Sequence, residues 1–352
     1  MIKIKLFSIL LCNALLPFTL LAEIKTPAVI GNNMVLQQNH KNPIWGWDNP
    51  RQDVEVLISG QSHKGKTDKD GYWKITLNPM KASFSPITMT IKGSSVLKYT
   101  NILVGEVWLC SGQSNMGWSV GQSDDRDLES MSAKFPNLRL ISVPQVGTQE
   151  PQNDFNGKWE ATTPETAINF SAVGYFFGRK LHQILDIPVG LIDNAWGGSA
   201  CEAWIPRDRL NKMAVAKPYM DQWRETEKTF DFEKLQKAYQ EKLKNWQAKA
   251  TAAHKEGKPT PGGRPRAPRN QMTGQHRPAN LYNGVLNPII GYGIKGAIWY
   301  QGEANTHSIE AAKLYRELLE NMTMSWPHQY SPTATPYPYQ PNSTKPASRK
   351  LI

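Results

Sequence analysis

Between residues 23 and about 104, short apolar runs alternate with polar turn clusters. The runs cover 54–58, 72–77, 87–91 and 96–103, and clusters such as 48–50, 70–71 and 92–94 punctuate them. Regular strand spacing without a helical period predicts a small antiparallel β-sandwich over 23–104. From residue 104 the rhythm changes. Apolar runs at 104–110, 138–143, 188–194 and 295–300 predict strands. Ser171 can cap a helix over 172–186 whose buried side carries Val173, Phe176, Phe177, Leu181, Ile184 and Leu185. Residues 315–324 also read as a helix. Strands alternating with helices predict an α/β domain over 105–326, built on a parallel sheet covered on both faces.

An insertion interrupts this domain at 212–277. Leu235, Tyr239, Leu243, Trp246 and Ala250 mark one face of a long, otherwise charged helix. The Pro/Gly/Arg-rich stretch 258–269 that follows cannot be helical. Residues 1–22 carry Lys3 and Lys5, an apolar run broken by Asn13 and Pro17, and a small residue, Ala22. That three-part pattern predicts a secretory signal peptide, a secreted or periplasmic location and no membrane contact after its removal. Residues 327–352 hold six prolines, three tyrosines and no acid. They are expected to form a disordered or out-of-frame tail.

Hydrophobic residues at 39% and charged residues at 20% exclude wholesale disorder across the 352 positions. The formal charge of +11 is concentrated in the leader, in 254–277 and in the last 32 residues. The remaining body is close to neutral, which argues against a phosphate-tracking surface and a nucleic-acid partner. The 12 Trp suit either core packing or stacking on a flat ligand such as a sugar. Cys110 and Cys201, which follow the leader, read as buried thiols rather than a bridge.

Three polar motifs directly follow predicted core strands, where the loops of a parallel sheet converge on ligands. The first is Ser111-Gly112-Gln113-Ser114-Asn115-Met116. A serine on a sharp strand-to-helix turn can present its hydroxyl to a substrate and its own N–H to a developing oxyanion. The second is Asn194-Ala195-Trp196-Gly197-Gly198-Ser199, with Glu202 and Trp204 beyond, and its glycines can expose an N–H. The third is Trp299-Tyr300-Gln301-Gly302-Glu303-Ala304-Asn305, whose carboxamide can donate into the same hole. Taken singly, each motif also reads as a cap or a tight turn.

Together with Met34-Val35-Leu36-Gln37, Trp45-Gly46-Trp47, Asp70-Gly71-Tyr72-Trp73 and Pro278-Ala279-Asn280-Leu281-Tyr282-Asn283-Gly284, these motifs resemble the sialate O-acetylesterase-type carbohydrate esterases of the SGNH hydrolase superfamily. The resemblance runs from about Met34 to Trp326. It implies a flavodoxin-like three-layer domain and a serine esterase that removes O-acetyl groups from sialic acid or related sugars through an acetyl-serine. It implies Ser114 as nucleophile. The implied oxyanion hole combines the Ser114 N–H, an N–H of Gly197 or Gly198 (Gly198 preferred), and the Gln301 side chain, with Asn305 as the alternative. Gln113, Asn115, Trp196, Gly197, Glu202, Glu303 and Asn305 would contact substrate. The implied partner is an O-acetylated sugar or sialoglycan, with no metal or organic cofactor; oligomeric state is left open.

One departure matters. The family places its histidine base in an Asp-x-x-His motif near the C-terminus, and this sequence contains none. The last strand and the histidine loop have no counterpart in 327–352. His307 is the best remaining candidate base. An impaired esterase is therefore expected; the alternatives are a non-catalytic carbohydrate-binding protein or an inactive remnant.

Overall fold

The structure, a computed structural model, describes residues 23–330. The expected signal peptide at 1–22 and residues 331–352 of the expected tail lie outside the described residues.

Seven strands come first: β1 (Val35–Gln37), β2 (Pro43–Trp47), β3 (Asp53–Ile58), β4 (Gln61–Lys66), β5 (Tyr72–Thr76), β6 (Ser83–Lys92) and β7 (Val96–Gly112). β2 and β5 pair antiparallel. β4, β3, β6 and the first part of β7 form a second antiparallel sheet, with β1 alongside β7. The period of two is plain in β5, which buries Trp73 and Ile75 and exposes Tyr72, Lys74 and Thr76. Trp73 and Ile75 share one apolar cluster with Val54, Val56, Met89 and Ile91 of the other sheet.

β7 carries the chain from one region to the next. Its first part pairs with β6, and its last part pairs with two later strands. The boundary expected at 104/105 therefore falls inside one continuous strand. Ile102 to Val107 are all buried, so nothing in that stretch favours a turn.

The remaining elements are α1 (Arg126–Met131), β8 (Phe135–Ser142), β9 (Glu160–Thr162), α2 (Pro164–Ala167), α3 (Ala172–Leu185), β10 (Val189–Asp193), α4 (Arg207–Lys212), α5 (Lys217–Thr229), α6 (Phe232–Lys255), β11 (Gly296–Tyr300) and α7 (Ile309–Tyr330). β11, β7, β10 and β8 lie side by side and parallel; β9 adds an antiparallel edge. Side chains alternate between two apolar layers. Cys110, Leu138, Leu140, Val189 and Leu191 pack with Tyr175 of α3. Val107, Leu109, Ile141 and Ile192 pack with Leu281, Val285, Leu286 and Ile289, and with Leu318 and Met322 of α7. This is the α/β sheet covered on both faces. β11 pairs only with β7 among the described strands and stays half exposed.

Two helices differ from expectation. α3 is capped as expected, with Ser171 Oγ accepting from Gly174 N at 3.0 Å. Of the expected face, Val173, Phe176 and Leu181 pack half-buried against the sheet layer and Phe177 packs on Trp108, but Ile184 and Leu185 are 66% and 42% exposed, and the fully buried positions are Ala172, Gly174, Tyr175 and Gly178. Small residues bring the helix close to the sheet, since a Cβ on Gly178 would lie 2.6 Å from Leu191 Cδ1. Apolar periodicity cannot see a contact made by glycine. α7 is longer than the expected 315–324 and takes in 327–330, which the sequence assigned to the tail. No helix among the described residues is long and apolar enough to cross a membrane. Both Cys110 and Cys201 are buried and unbridged, and burial pushes their thiols up.

Candidate active site

The strand register brings three loops together. Gly112 stands opposite Tyr300, and Cys110 stands opposite Asp193, so β7, β11 and β10 end side by side. Each strand ends in one of the three polar motifs.

Gly112 makes the turn at the end of β7. Its φ is +139°, a region that disfavours side chains, and it lies against the Tyr300 backbone. Gln113 N donates to Tyr300 O at 2.9 Å, and Gly117 N donates back to Gln113 O at 3.0 Å. Between these ties the chain bulges outward, leaving Ser114 and Asn115 exposed while Gln113 and Met116 turn in. The second loop is pinned by Trp196 N, which donates to Gly112 O at 3.0 Å. That bond carries Gly197 alongside the serine: a Cβ built on Gly197 would lie 3.6 Å from Ser114 Cβ. Gly198 follows at φ +70°. Among the described residues, the N–H groups of Ser114, Gly197 and Gly198 have no protein acceptor. The third loop is tied to the first by Asn115 Nδ2, which donates to Glu303 Oε1 at 2.6 Å.

Ser114, Asn115, Gly197 and Glu303 thus meet at an exposed crest, with Trp196 and Gly198 half-buried beside them. Four residues expected at the substrate are placed beneath it. Gln113 is 4% exposed, and its Oε1 accepts from the N–H groups of Gly302 and Ala304 at 3.4 Å each. It ties two loops together. Gln301 spends both amide N–H bonds inside, donating to Ser199 O and Asn305 Oδ1 at 2.9 Å each. Asn305 Oδ1 also accepts from Cys201 N at 2.9 Å, and its Nδ2 donates to Glu202 Oε2 at 2.8 Å. The expectation that Gln301 donates into the oxyanion hole does not match this geometry, and the alternative, Asn305, has one N–H engaged by Glu202 beneath the crest. A carboxamide has two N–H bonds; both of those of Gln301 are directed at protein acceptors, and Asn305, 7% exposed, directs one at Glu202. Glu202, 2% exposed, braces Asn305 rather than facing solvent.

Sequence reasoning gave no role to two further supports. Tyr315 of α7 donates through its hydroxyl to Gln301 O at 2.7 Å. Gln275 Nε2 donates to Gly197 O at 3.4 Å, and Gln275 O accepts from Ala200 N at 3.2 Å. Gln275 comes from the end of the insertion, where no local pattern marks it. Trp204, named only as a neighbour of the second motif, anchors Ser199 Oγ through its indole N–H at 3.0 Å and packs edge-on against Trp299.

Two carboxyl groups behind the crest are perturbed. Burial pushes Glu202 up, partly offset by the Asn305 amide, by its own backbone and by the charge of His307. Burial pushes Asp193 up to about 7, against a smaller opposing pull from the Ala195 N–H. Since that exceeds the ordinary 3.8, the folded chain retains a proton there that the unfolded chain releases. This contribution to stability is whole below about pH 4 and is lost as pH rises through about 7. Asp193→Asn keeps an acceptor for Ala195 and removes the titration. Thermal melts are expected to show the variant gaining on the parent between about pH 5 and about pH 8; a pH-independent difference would contradict this.

No histidine among the described residues hydrogen-bonds Ser114. His182 Nδ1 is tied to Ile187 O at 2.6 Å, and His307 is exposed just beyond the third motif. A cavity of about 600 Å³ lies elsewhere, between β8, β9 and α2, lined by residues such as Leu140, Lys158, Glu165 and Phe170. It contains none of the crest residues.

Residues 104–252 match the family described as carbohydrate esterase, sialic acid-specific acetylesterase. The sialate O-acetylesterase of Mus musculus is 30% identical over 308 residues, which are 78% of this chain and 51% of the mouse protein. That of Homo sapiens is 28% identical over 299 residues, 78% of this chain and 48% of the human protein. The chain thus spans about half the length of the curated relatives it matches. A carbohydrate acetylesterase from Xanthomonas citri superposes with a TM-score of 0.67 at 29% identity, covering 87% of this chain and 57% of that one.

Proposed function

We propose, on the premise that the chain belongs to the sialic acid-specific acetylesterase family of carbohydrate esterases, that it is a serine esterase acting on O-acetylated sugars, sialic acid among them. The observation that carries this reading is the crest: an exposed Ser114 with Gly197 beside it and unpaired N–H groups on both. In this mechanism Ser114 Oγ attacks the acetyl carbonyl, and the carbonyl oxygen becomes an oxyanion. The N–H groups of Ser114 and of Gly197 or Gly198 stabilise it. Collapse expels the sugar oxygen, which takes up a proton from water as it leaves, and gives an acetyl-serine whose hydrolysis is slow because the described residues place no base beside it. Asn115, Trp196 and Glu303 stand where the sugar would lie. The leader pattern of residues 1–22 suits work outside the cytoplasm.

The described site supplies a nucleophile and oxyanion donors but no imidazole on Ser114. A sugar alkoxide needs a proton to leave, whereas a nitrophenolate does not. On this reading para-nitrophenyl acetate slowly transfers its acetyl group to Ser114 Oγ, whose proton passes to solvent water as nitrophenolate leaves, and the acetyl-serine then persists because the described residues place no base beside it. Mass spectrometry after exposure to that ester is expected to find an acetyl group on the peptide carrying Ser114. Acetylation confined to lysines, or none, would overturn the esterase reading and favour a carbohydrate-binding protein.

A further inference from the structure

Residues 232–269 form an arm: α6 runs out, and the chain returns along it as a strap. α6 buries none of its residues. Its half-covered positions include Phe232, Tyr239, Leu243, Trp246 and Ala250. The strap crosses this face, where Trp246 Nε1 donates to Gly262 O at 3.3 Å. What remains outside is cationic. The arm holds ten Lys/Arg and three Glu, a surplus of seven within a chain of net charge +11. Among the described residues only Lys258 of those ten has a carboxylate partner, Glu256 at 2.8 Å. Lys237 and Lys244 lie seven residues apart, as do Lys242 and Lys249, so each pair shares a helix face about 10.5 Å apart. These charges repel one another, and the arm has no buried core of its own to offset the repulsion. A polyanion laid along it removes the repulsion and releases counterions.

We propose that this arm binds an acidic polysaccharide, a sugar polymer with repeated carboxylates, and holds it close to the chain that carries the esterase site. The identification of the polyanion as a sugar rests on the proposed function; the cationic arm does not. A lipid surface fits less well, because the strap crosses the apolar face at Trp246 and leaves little of it free to enter a bilayer. A nucleic acid fits less well, because the near-neutral body offers no second strip of cations to follow a duplex.

The test uses the full chain with polygalacturonate as probe. Binding is expected at about 50 mM salt and is expected to weaken by tenfold or more at about 200 mM. Replacing Lys237, Lys242, Lys244 and Lys249 by Gln preserves helix propensity and removes four charges. That variant is expected to bind at least about tenfold more weakly at about 50 mM salt, with a shallower salt dependence. Its helix content and the acetylation of Ser114 should not change. A second variant in the strap, Arg264→Gln with Arg266→Gln, should weaken binding in the same direction while leaving α6 intact. Undiminished binding by both variants, or no binding by the parent at low salt, overturns the proposal. So does tighter binding to phosphatidylglycerol vesicles or single-stranded DNA than to polygalacturonate. Binding without Ser114 acetylation would remove the esterase reading and leave the arm's role standing.

Discussion

Ser114→Ala is expected to abolish acetyl transfer from para-nitrophenyl acetate while leaving the melting temperature where it was. Both halves follow from the position of the residue. Ser114 is exposed at the crest, and no hydrogen bond from its hydroxyl holds any neighbour among the described residues. Removing one exposed oxygen should change stability by no more than about 0.5 kcal/mol. Chemistry is another matter. In serine hydrolases loss of the nucleophile costs on the order of 10⁶ in turnover, and what survives comes from oxyanion donors and binding. Here those donors are backbone N–H groups that the substitution does not touch. Residual hydrolysis of the ester by water should therefore persist near background, but the covalent acetyl group should disappear from residue 114. Equal acetylation of parent and variant would mean that another residue is the nucleophile. A matching fall in melting temperature would mean that Ser114 is a structural cap.

How much of this was readable beforehand depends on what kind of information each feature needs. The four parallel strands were visible because strands buried on both faces are short apolar runs ending in turn residues, and 138–143 became β8 with little change. The three motifs were visible because each follows such a run, and strand register alone brings them together. The direction of each side chain was not visible. Gln113 and Gln301 have the right functional group in the right loop, but composition does not say which way an amide points. It is settled by acceptors such as Ser199 O, which is distant in sequence. Glu202 illustrates the same limit, because only Asn305, 103 residues away, turns it inward. The sequence pattern divides β7 in two because its partners change along its length, and partner identity is not written in the strand's own residues. The register of α3 was missed because glycine, not leucine, makes its closest contact.

Gly112→Ala is the substitution expected to cost most, because it strikes the fold and the site together. The residue combines two independent demands. Its φ of +139° is costly for alanine by about 1–3 kcal/mol. A Cβ there would also land on the Tyr300 carbonyl oxygen and come within 2.7 Å and 2.9 Å of Tyr300 C and N. These are backbone atoms of the strand paired with β7, so no side-chain rotation relieves the clash. Relief requires β11 to move away, at about 1–3 kcal/mol more. The shift would break the 2.9 Å bond from Gln113 N to Tyr300 O that starts the turn, and with it the position of Ser114. The sum is a large fraction of the 5–15 kcal/mol typical of folded domains. Gly60→Ala separates the two demands, since Gly60 has a φ of +76° but nothing within 4 Å of a built Cβ. Its cost should be confined to the left-handed backbone, about 1–2 kcal/mol. Denaturant melts should therefore rank the parent first, Gly60→Ala slightly below it and Gly112→Ala far below both, with Ser114 acetylation lost only in the last. If the two glycine variants unfold at the same denaturant concentration, the contact between the ends of β7 and β11 is not what holds the crest in place.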